Sequence, residues 1–214
     1  MKKPLSIIAA LSIAFVTSVN AQKPDAHKIK VGLKIGANLT TLGVFKLDGN
    51  EYDYNYKPGF TAGVFSEIPL GGKFKLIPEI NYSQKGADVE GEANGIKATL
   101  EQRLNYMDVP LSLSYHIVNN LSVFGGPQVS FILNQTTKNT TYFPGVTVVN
   151  QNKDTDKIAK AIPGGVIGLY YQLPPNLNLS ARYMTDLMKG SKDKDPRFTE
   201  VRNSGFSLTI GYNF

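Results

Sequence analysis

The segment 206–214 reads FSLTIGYNF, in which apolar residues alternate with small polar ones without a break. Successive side chains of a β-strand point to opposite faces, so this pattern predicts a strand with one apolar face. The same alternation recurs, cleanly or with interruptions, at 31–39, 60–68, 74–83, 107–117, 121–133 and 177–183. A further strand is expected near 164–171, where the glycines leave its apolar face undefined.

Two kinds of residue interrupt the alternation. Phe65 and Ile77 are apolar residues in otherwise polar phases. Pro78, Pro110 and Pro127 fall inside predicted strands, where each removes a backbone donor. Because the three prolines sit at similar depth on consecutive strands, we expect a ring of local bulges there.

The connections between the predicted strands alternate in length. The long ones cover 40–58, 86–103, 134–161 and 187–204, and tight turns at 69–73, 118–120 and 173–176 lie between them. In an up-and-down barrel every second connection lies at the same end, so one rim carries long polar segments and the other only turns. That asymmetry is typical of outer-membrane barrels. The sequence therefore predicts an all-β fold, an eight-stranded antiparallel up-and-down transmembrane β-barrel.

Alternation alone does not tell which face is the interior, because a soluble lipocalin-like barrel has the same period. The polar phase here is mostly glycine, serine, threonine and asparagine, with few charges. A water-exposed surface carries about 25–35% charged residues. Small residues suit the crowded inside of a narrow barrel, and bulky apolar ones suit the lipid-facing side. The composition favours the membrane barrel.

The first residues indicate export. Lys2 and Lys3 precede an apolar run at 5–16, and a small-residue pattern ends at Ala21, so Gln22 is the expected mature terminus. This divides the chain into a signal peptide at 1–21 and a barrel domain at 22–214. A membrane-anchoring helix is disfavoured, because the run is shorter than the roughly 20 apolar residues that span a bilayer. The chain has no cysteine, which excludes disulfides, thiolate metal sites and a lipidated cysteine.

Charge and hydropathy exclude other classes. The 23 basic and 17 acidic residues give a formal charge of +6, and the excess is diffuse. No basic patch carries interleaved aromatic residues, so a nucleic-acid partner is not expected. The mean hydropathy of −0.17, without a second long apolar run, excludes a helical-bundle membrane protein but not a barrel.

Several stretches resemble a known family: 58–69, 78–86, 105–111 and 181–183. They are similar to the PorT-like, porin-family small outer-membrane β-barrel proteins of Gram-negative bacteria, with an eight-stranded barrel domain of the OmpA/OmpX type. The resemblance implies residence in the cell outer membrane with both termini periplasmic. It also implies contact with outer-membrane lipid and lipopolysaccharide, and with the barrel-assembly machinery. Phe214, with Tyr212 in phase, resembles the assembly signal of such proteins.

Catalytic and metal-binding motifs are weak. Lipid A chemistry of the hydrolytic kind would need a serine, a histidine base and an orienting acid. His27 and His116 both belong to the short-turn end, away from the leaflet that holds lipid A, so no enzymatic activity is expected. The acid pairs at 154–156 and 193–195 lack the glycine and glutamate of an EF-hand loop and are interpreted as solvated acids. We expect no cofactor and no metal.

The predicted lumen carries charges of both signs. An eight-stranded barrel is only wide enough for side chains to fill it, and isolated charges there are costly. We therefore predict a paired network in which Arg182 is the centre and Glu67 and Glu79 are its partners. Its members are Lys34, Glu67, Lys75, Glu79, Asp108 and Arg182.

The functional expectation is a non-enzymatic outer-membrane barrel with a filled lumen. It would present four long extracellular loops for a structural role or for binding a ligand or partner. An accessory role in outer-membrane protein secretion, which the PorT-like resemblance suggests, is the alternative. A narrow pore is a third possibility.

Overall fold

The computed structural model describes residues 28–47, 50–93, 95–143, 146–154, 161–187 and 202–214. The described ranges do not include the predicted signal peptide with Ala21 and Gln22, nor His27, Asp156 and the acids at 193–195. No helix within them is long and apolar enough to cross a membrane. The strands are β1 Lys30–Thr41, β2 Val44–Leu47, β3 Asn50–Asp53, β4 Asn55–Gly71, β5 Phe74–Ala93, β6 Ile96–Val118, β7 Leu121–Phe143, β8 Val146–Asp154, β9 Ile162–Leu173, β10 Leu177–Asp186 and β11 Ser204–Asn213.

Eight of the strands close into a barrel. They are hydrogen-bonded in the order β6–β5–β4–β1–β11–β10–β9–β7, and β7 pairs back with β6. Each pairing in this ring is antiparallel. The predicted fold class is therefore confirmed. Of the remaining strands, β8 pairs with the second half of β7, and β2 with β3 forms a separate hairpin.

The apolar face of each barrel strand is turned outward. In β11, Leu208 is 62% exposed while Thr209 is 2% exposed, and this alternation holds along the strand. Serine, threonine and asparagine occupy most of the inward positions, and most leucine and isoleucine residues of these strands face outward. A soluble barrel would have the opposite arrangement, because water would face the apolar residues. The lipocalin-like alternative is therefore excluded.

The residues that interrupted the sequence pattern are lumen residues. Phe65 and Ile77 are only 4% and 3% exposed. A Cβ atom placed on Gly32 would lie 2.4 Å from Cζ of Phe65, so glycine makes room for this ring. The glycine-rich strand β9 also has a defined phase, with Ile162, Val166 and Tyr170 buried.

The expected ring of bulges at the prolines is wrong. Pro78 lies opposite Leu111, Pro110 opposite Gln128 and Pro127 opposite Gly165, and the pairing register is the same on both sides of each proline. Backbone bridges are missing beside Pro78 and Pro110, while the strands stay in step. The strands tolerate the missing donors as gaps in the hydrogen-bond ladder. Such gaps cost less than a change of register, because a slip by one residue would turn every side chain of the strand to the opposite face.

The second long connection is not a loop. β5 and β6 remain paired up to Ala93 and Ile96, and β7 and β8 extend this sheet. The result is a four-stranded sheet beyond the barrel at the long-connection end, here called the outer sheet, made of 86–93, 96–105, 134–143 and 146–154. A register shift between Asn105 and Tyr106 marks its base. The opposite end has only tight turns, one of which uses Gly71 and Gly72 at φ of 101° and 59°, conformations that favour glycine.

Candidate functional site

The outward surface has aromatic side chains at two levels. Toward the long-connection end, Phe60 contacts Tyr82 and Tyr183 contacts Phe206, with ring centroids 5.4 Å and 5.3 Å apart. Toward the short-turn end, further pairs are Phe74 with Tyr115 at 5.1 Å and Tyr212 with Phe214 at 5.4 Å. The surface between these levels is aliphatic, and aromatic girdles around such a band mark the two interfaces of a membrane.

The predicted assembly-signal residues lie on this outward surface. Tyr212 is 45% and Phe214 is 73% exposed. The backbone N–H of Phe214 donates to the carbonyl of Val31 at 2.8 Å, so the last residue is bonded to the first barrel strand. Both residues stand beside the seam at which β11 meets β1.

The centre of the lumen is organised around Glu79 of β5. Arg182 on β10 reaches across the barrel and donates through Nη1 to Oε2 at 2.8 Å and through Nη2 to Oε1 at 3.1 Å. Lys34 also donates to Glu79, and Asn81 Nδ2 donates at 2.9 Å. The Arg182 guanidinium lies 5.1 Å from the ring centroid of Phe124. One carboxylate thus joins two cations, Lys34 on β1 and Arg182 on β10, whose strands are separated by β11.

A second cluster surrounds Glu67 near the short-turn end. Lys75 Nζ lies 2.8 Å from Oε2, Asn213 Nδ2 donates to Oε1 at 2.9 Å, and the hydroxyl of Tyr170 donates to the same oxygen. Arg182 is expected to bind both Glu67 and Glu79, but of these two carboxylates it binds only that of Glu79. The two groups have different neighbours: the Arg182 guanidinium packs against the ring of Phe124, whereas Glu67 lies nearer the short turns and is bound by Lys75, Tyr170 and Asn213. The shared group is a glutamate rather than the arginine.

The third cluster contains a lysine that the sequence reasoning missed. Lys85 Nζ lies 3.0 Å from Asp108, which also accepts a hydrogen bond from Ser130 at 2.6 Å. The Lys85 ammonium is 4.5 Å from the ring centroid of Tyr106. Lys85 shares the phase of Asn81 and Ser83, so continuing the strand two residues further would have found it. An apolar cluster closes the barrel above this pair: Leu42, Tyr54, Ala87, Leu104, Tyr106 and Ile162.

Little free space remains in the centre. Around Lys34, Asn81, Asp108 and Arg182, the volume open to the centre of a water molecule is about 10 Å³, roughly enough for one water. The Oδ1 atom of Asn81 and Nε of Arg182 have no hydrogen-bond partner in the part of the chain that the structure describes, and a single water satisfies such groups. At this level of the lumen the side chains leave room for about one water and for no larger solute.

His116 forms a pair with a serine, which bears on the question of catalysis. Its Nδ1 lies 2.7 Å from Oγ of Ser122. Ser122 is only 2% exposed, so its hydroxyl is not presented to a substrate, and a nucleophile must reach the atom it attacks. The pair therefore acts as a lumen hydrogen bond. Within the described ranges, no three histidine, cysteine or acidic residues are grouped as metal ligands.

The fold and its outward apolar band define a transmembrane β-barrel. The sequence matches the family described as outer membrane protein beta-barrel domain over residues 20–189. The chain therefore belongs to this family, and it is an outer-membrane protein. No curated protein sequence matches the chain.

Solved structures of outer-membrane proteins resemble the chain at low identity. Ail of Yersinia pestis, solved with the heparin analogue sucrose octasulfate, is 17% identical with a TM-score of 0.45, over 87% of this chain and 99% of Ail. Neisserial surface protein A is 12% identical with a TM-score of 0.47, over 89% and 100%. The outer membrane protease OmpT of Escherichia coli is 12% identical with a TM-score of 0.49, over 92% and 100%.

Proposed function

We propose that this protein is a closed, non-enzymatic outer-membrane barrel that displays the outer sheet on the cell surface as a binding platform. The observation that carries the proposal is the set of bonded side-chain clusters that occupies the lumen at successive heights. Glu67, Glu79 and Asp108 each anchor one cluster, and the apolar cluster lies above them. A barrel filled in this way transmits no solute, so its contribution lies in what it presents outside.

The outer sheet has the features of such a platform. β8 pairs along one side with β7 over Gln135–Phe143, and no described strand pairs with its other side. Val146 and Val149 on this strand are 59% and 51% exposed. Unpaired backbone groups at a sheet edge are able to accept a further strand from a partner. An extended segment of a surface protein or ligand-bearing partner fits this edge.

Conductance tests the closed state. Purified protein in planar bilayers is expected to show no steady current. A variant in which Lys34, Glu79 and Arg182 are all replaced by serine removes the central cluster and is expected to conduct small ions. The control is a variant in which Glu92 and Lys97, an exposed ion pair of the outer sheet, are replaced by serine. This variant should show no current. Steady conductance of the natural protein would show that the barrel is a narrow pore.

The proposal includes an orientation, with the outer sheet outside the cell and the short turns and both termini in the periplasm. The absence of cysteine from the chain allows single cysteines to be introduced at Thr147 in β8 and at Asn119 in a short turn. A membrane-impermeant maleimide should label Thr147→Cys on intact cells. It should label Asn119→Cys only after the outer membrane is permeabilised, and the reverse pattern would refute the orientation.

Export is part of the same proposal. Residues 1–21 would serve as a signal peptide that is removed between Ala21 and Gln22. Terminal sequencing of the protein purified from outer membranes should begin at Gln22. Retention of Lys2 and Lys3 in the mature protein would favour the anchoring helix instead.

A secretion accessory of the PorT-like kind is the second candidate. The supporting observation is that two of the stretches carrying the resemblance, 78–86 and 105–111, are paired neighbours in the barrel wall. Deleting the gene and comparing the secreted proteins of the mutant and parent distinguishes the candidates. An unchanged set of secreted proteins fits the surface platform, and a general loss of secretion fits the accessory role.

A further inference from the structure

The outward face of the outer sheet begins with a basic zone. Strand pairing places residues in rows across the sheet, and residues in one row share a face. The last apolar row is Tyr82, Met107 and Phe131, and the row after it is Gln84, Asn105 and Asn134. The next row contains Arg103, Thr136 and Lys153, and the one above it contains Asp88, Glu101, Lys138 and Gln151.

The cations in these rows are not fully used by carboxylates. Glu101 binds both Lys57 at 3.0 Å and Arg103 at 2.9 Å. Lys138 and Lys153 form no ion pair with any residue in the described ranges. Higher on the same face, Lys97 has a partner in Glu92 at 3.6 Å. The excess of positive charge is therefore confined to the rows nearest the membrane.

The height of the zone points to its ligand. Tyr82 belongs to the aromatic level that marks the membrane interface, and Arg103 lies four residues along β6 from Met107 in the apolar row. Phosphate groups of a membrane lipid lie directly above the hydrocarbon, at the level where the basic rows begin. Lysine has a long flexible side chain with a compact charge, which suits contact with a phosphate at variable position. The polar row between the two carries amide side chains, a type of group that is able to hydrogen-bond to sugar hydroxyls.

We propose that Arg103, Lys138 and Lys153 form a binding site for the phosphates of an outer-leaflet glycolipid of the lipid A class. The site deepens the proposed function and rests on its orientation, since it requires the outer sheet to stand on the lipopolysaccharide side. Glycolipid bound there would fix the height and tilt of the outer sheet above the membrane. The platform would then be held by lipid on its outward face and remain open on the face toward the barrel axis.

Binding of purified lipid A to the folded protein in detergent micelles, measured by calorimetry, tests the site. The variant Lys138→Gln with Lys153→Gln should bind about 25-fold more weakly, at about fivefold for each basic residue near an anionic surface. The control is Lys73→Gln with Lys97→Gln, which removes the same charge elsewhere and should change affinity less than about twofold. Migration on unheated gels confirms that both variants are folded.

Two further probes separate the ligand chemistry. Dephosphorylated lipid A should bind the natural protein weakly and show no difference between the variants. The variant with Lys138 and Lys153 replaced is also compared with the natural protein for binding of a soluble sulfated polysaccharide. If the variant bound the polysaccharide more weakly but bound lipid A as well as the natural protein does, the zone would be a site for a soluble polyanion, and the proposal would be overturned. Equal lipid A affinity of the natural protein and this variant would also overturn it. Micelles have no sidedness, so this result is independent of the cysteine-labelling test of orientation.

Discussion

Glu79→Gln is the most informative single substitution in the lumen. The change keeps the shape of the side chain and removes its charge. Lys34 and Arg182 then lose the carboxylate that they share, and their side chains are only 4% and 7% exposed. Two like charges, one on β1 and one on β10, would then line the same small space, which has room for about one water.

The structure sets the size of the effect. Breaking a buried ion pair by removing one partner costs about 3–5 kcal/mol. Arg182→Met should cost less, about 1–3 kcal/mol, because Glu79 keeps Lys34 and Asn81. The double variant Glu79→Gln with Arg182→Met should lose less stability than the sum of the losses of the two single variants, because Met at position 182 removes one of the cations left unpaired by Glu79→Gln. Arg103→Met breaks an ion pair of a side chain that is 52% exposed and should cost less than about 1 kcal/mol.

Urea unfolding of the purified protein in phospholipid vesicles, followed by the loss of the fast-migrating band on unheated gels, measures these differences. At a slope of about 2 kcal/mol/M, Glu79→Gln should lower the midpoint by about 1.5–2.5 M. Arg103→Met is the matched control for loss of an arginine and should leave the midpoint almost unchanged. A shift for Glu79→Gln no larger than that of the control would refute the shared-carboxylate reasoning.

Three other changes to the chain test separate features. Gly32→Ala would place a Cβ atom 2.4 Å from both Phe65 Cζ and the Tyr212 carbonyl oxygen, so it should lower the free energy of unfolding by about 1–3 kcal/mol. The control Gly91→Ala, whose Cβ would have nothing within 4 Å, should not lower it, and equal urea midpoints of the two variants would contradict the steric explanation. Deleting Phe214 removes the outward-facing residue whose backbone bonds to Val31. The shortened protein should accumulate in the periplasm and be degraded, because an unclosed sheet leaves open edges. A normal yield of heat-modifiable protein would show that Phe214 is not needed for assembly. The hydrogen bond from Lys57 holds the pKa of the Glu101 carboxyl below its ordinary value of 4.5. This pair therefore stabilises the fold above pH 4.5, and the stabilisation is lost as the pH falls through the lowered pKa of Glu101. Lys57→Met should raise the pKa of Glu101 in an NMR titration, and an unchanged pKa would show that Lys57 is not the cause.

The sequence alone was sufficient to predict the strands and the faces of most of them. Period-2 alternation is a local property, and FSLTIGYNF shows it within nine residues. Small residues in one phase and bulky apolar ones in the other also predicted that the barrel is inverted relative to a soluble protein. The outward exposure of Leu208 and the burial of Thr209 agree with that prediction.

Local patterns failed where glycine, proline or weak alternation hid the strand. The outer sheet is an example, because 86–103 mixes charges, glycine and alanine, a composition that predicts a loop. The pairing of β5 with β6 continues there through backbone bonds, which do not depend on a strong side-chain pattern. Lys85 escapes prediction for the same reason, since the clear alternation of its strand ends at residue 83.

Which charges meet in the lumen was decided by the tertiary structure alone. Arg182 and Glu79 are separated by 103 residues, and their contact depends on the tilt and stagger of strands on opposite walls. The sequence identified both residues as inward-facing but placed Glu67 beside the same arginine. In the folded barrel Glu67 lies one layer lower, where Lys75, Tyr170 and Asn213 bind it. The alternation of a strand fixes the direction in which a side chain points, whereas only the closed ring fixes the height at which it meets its partner.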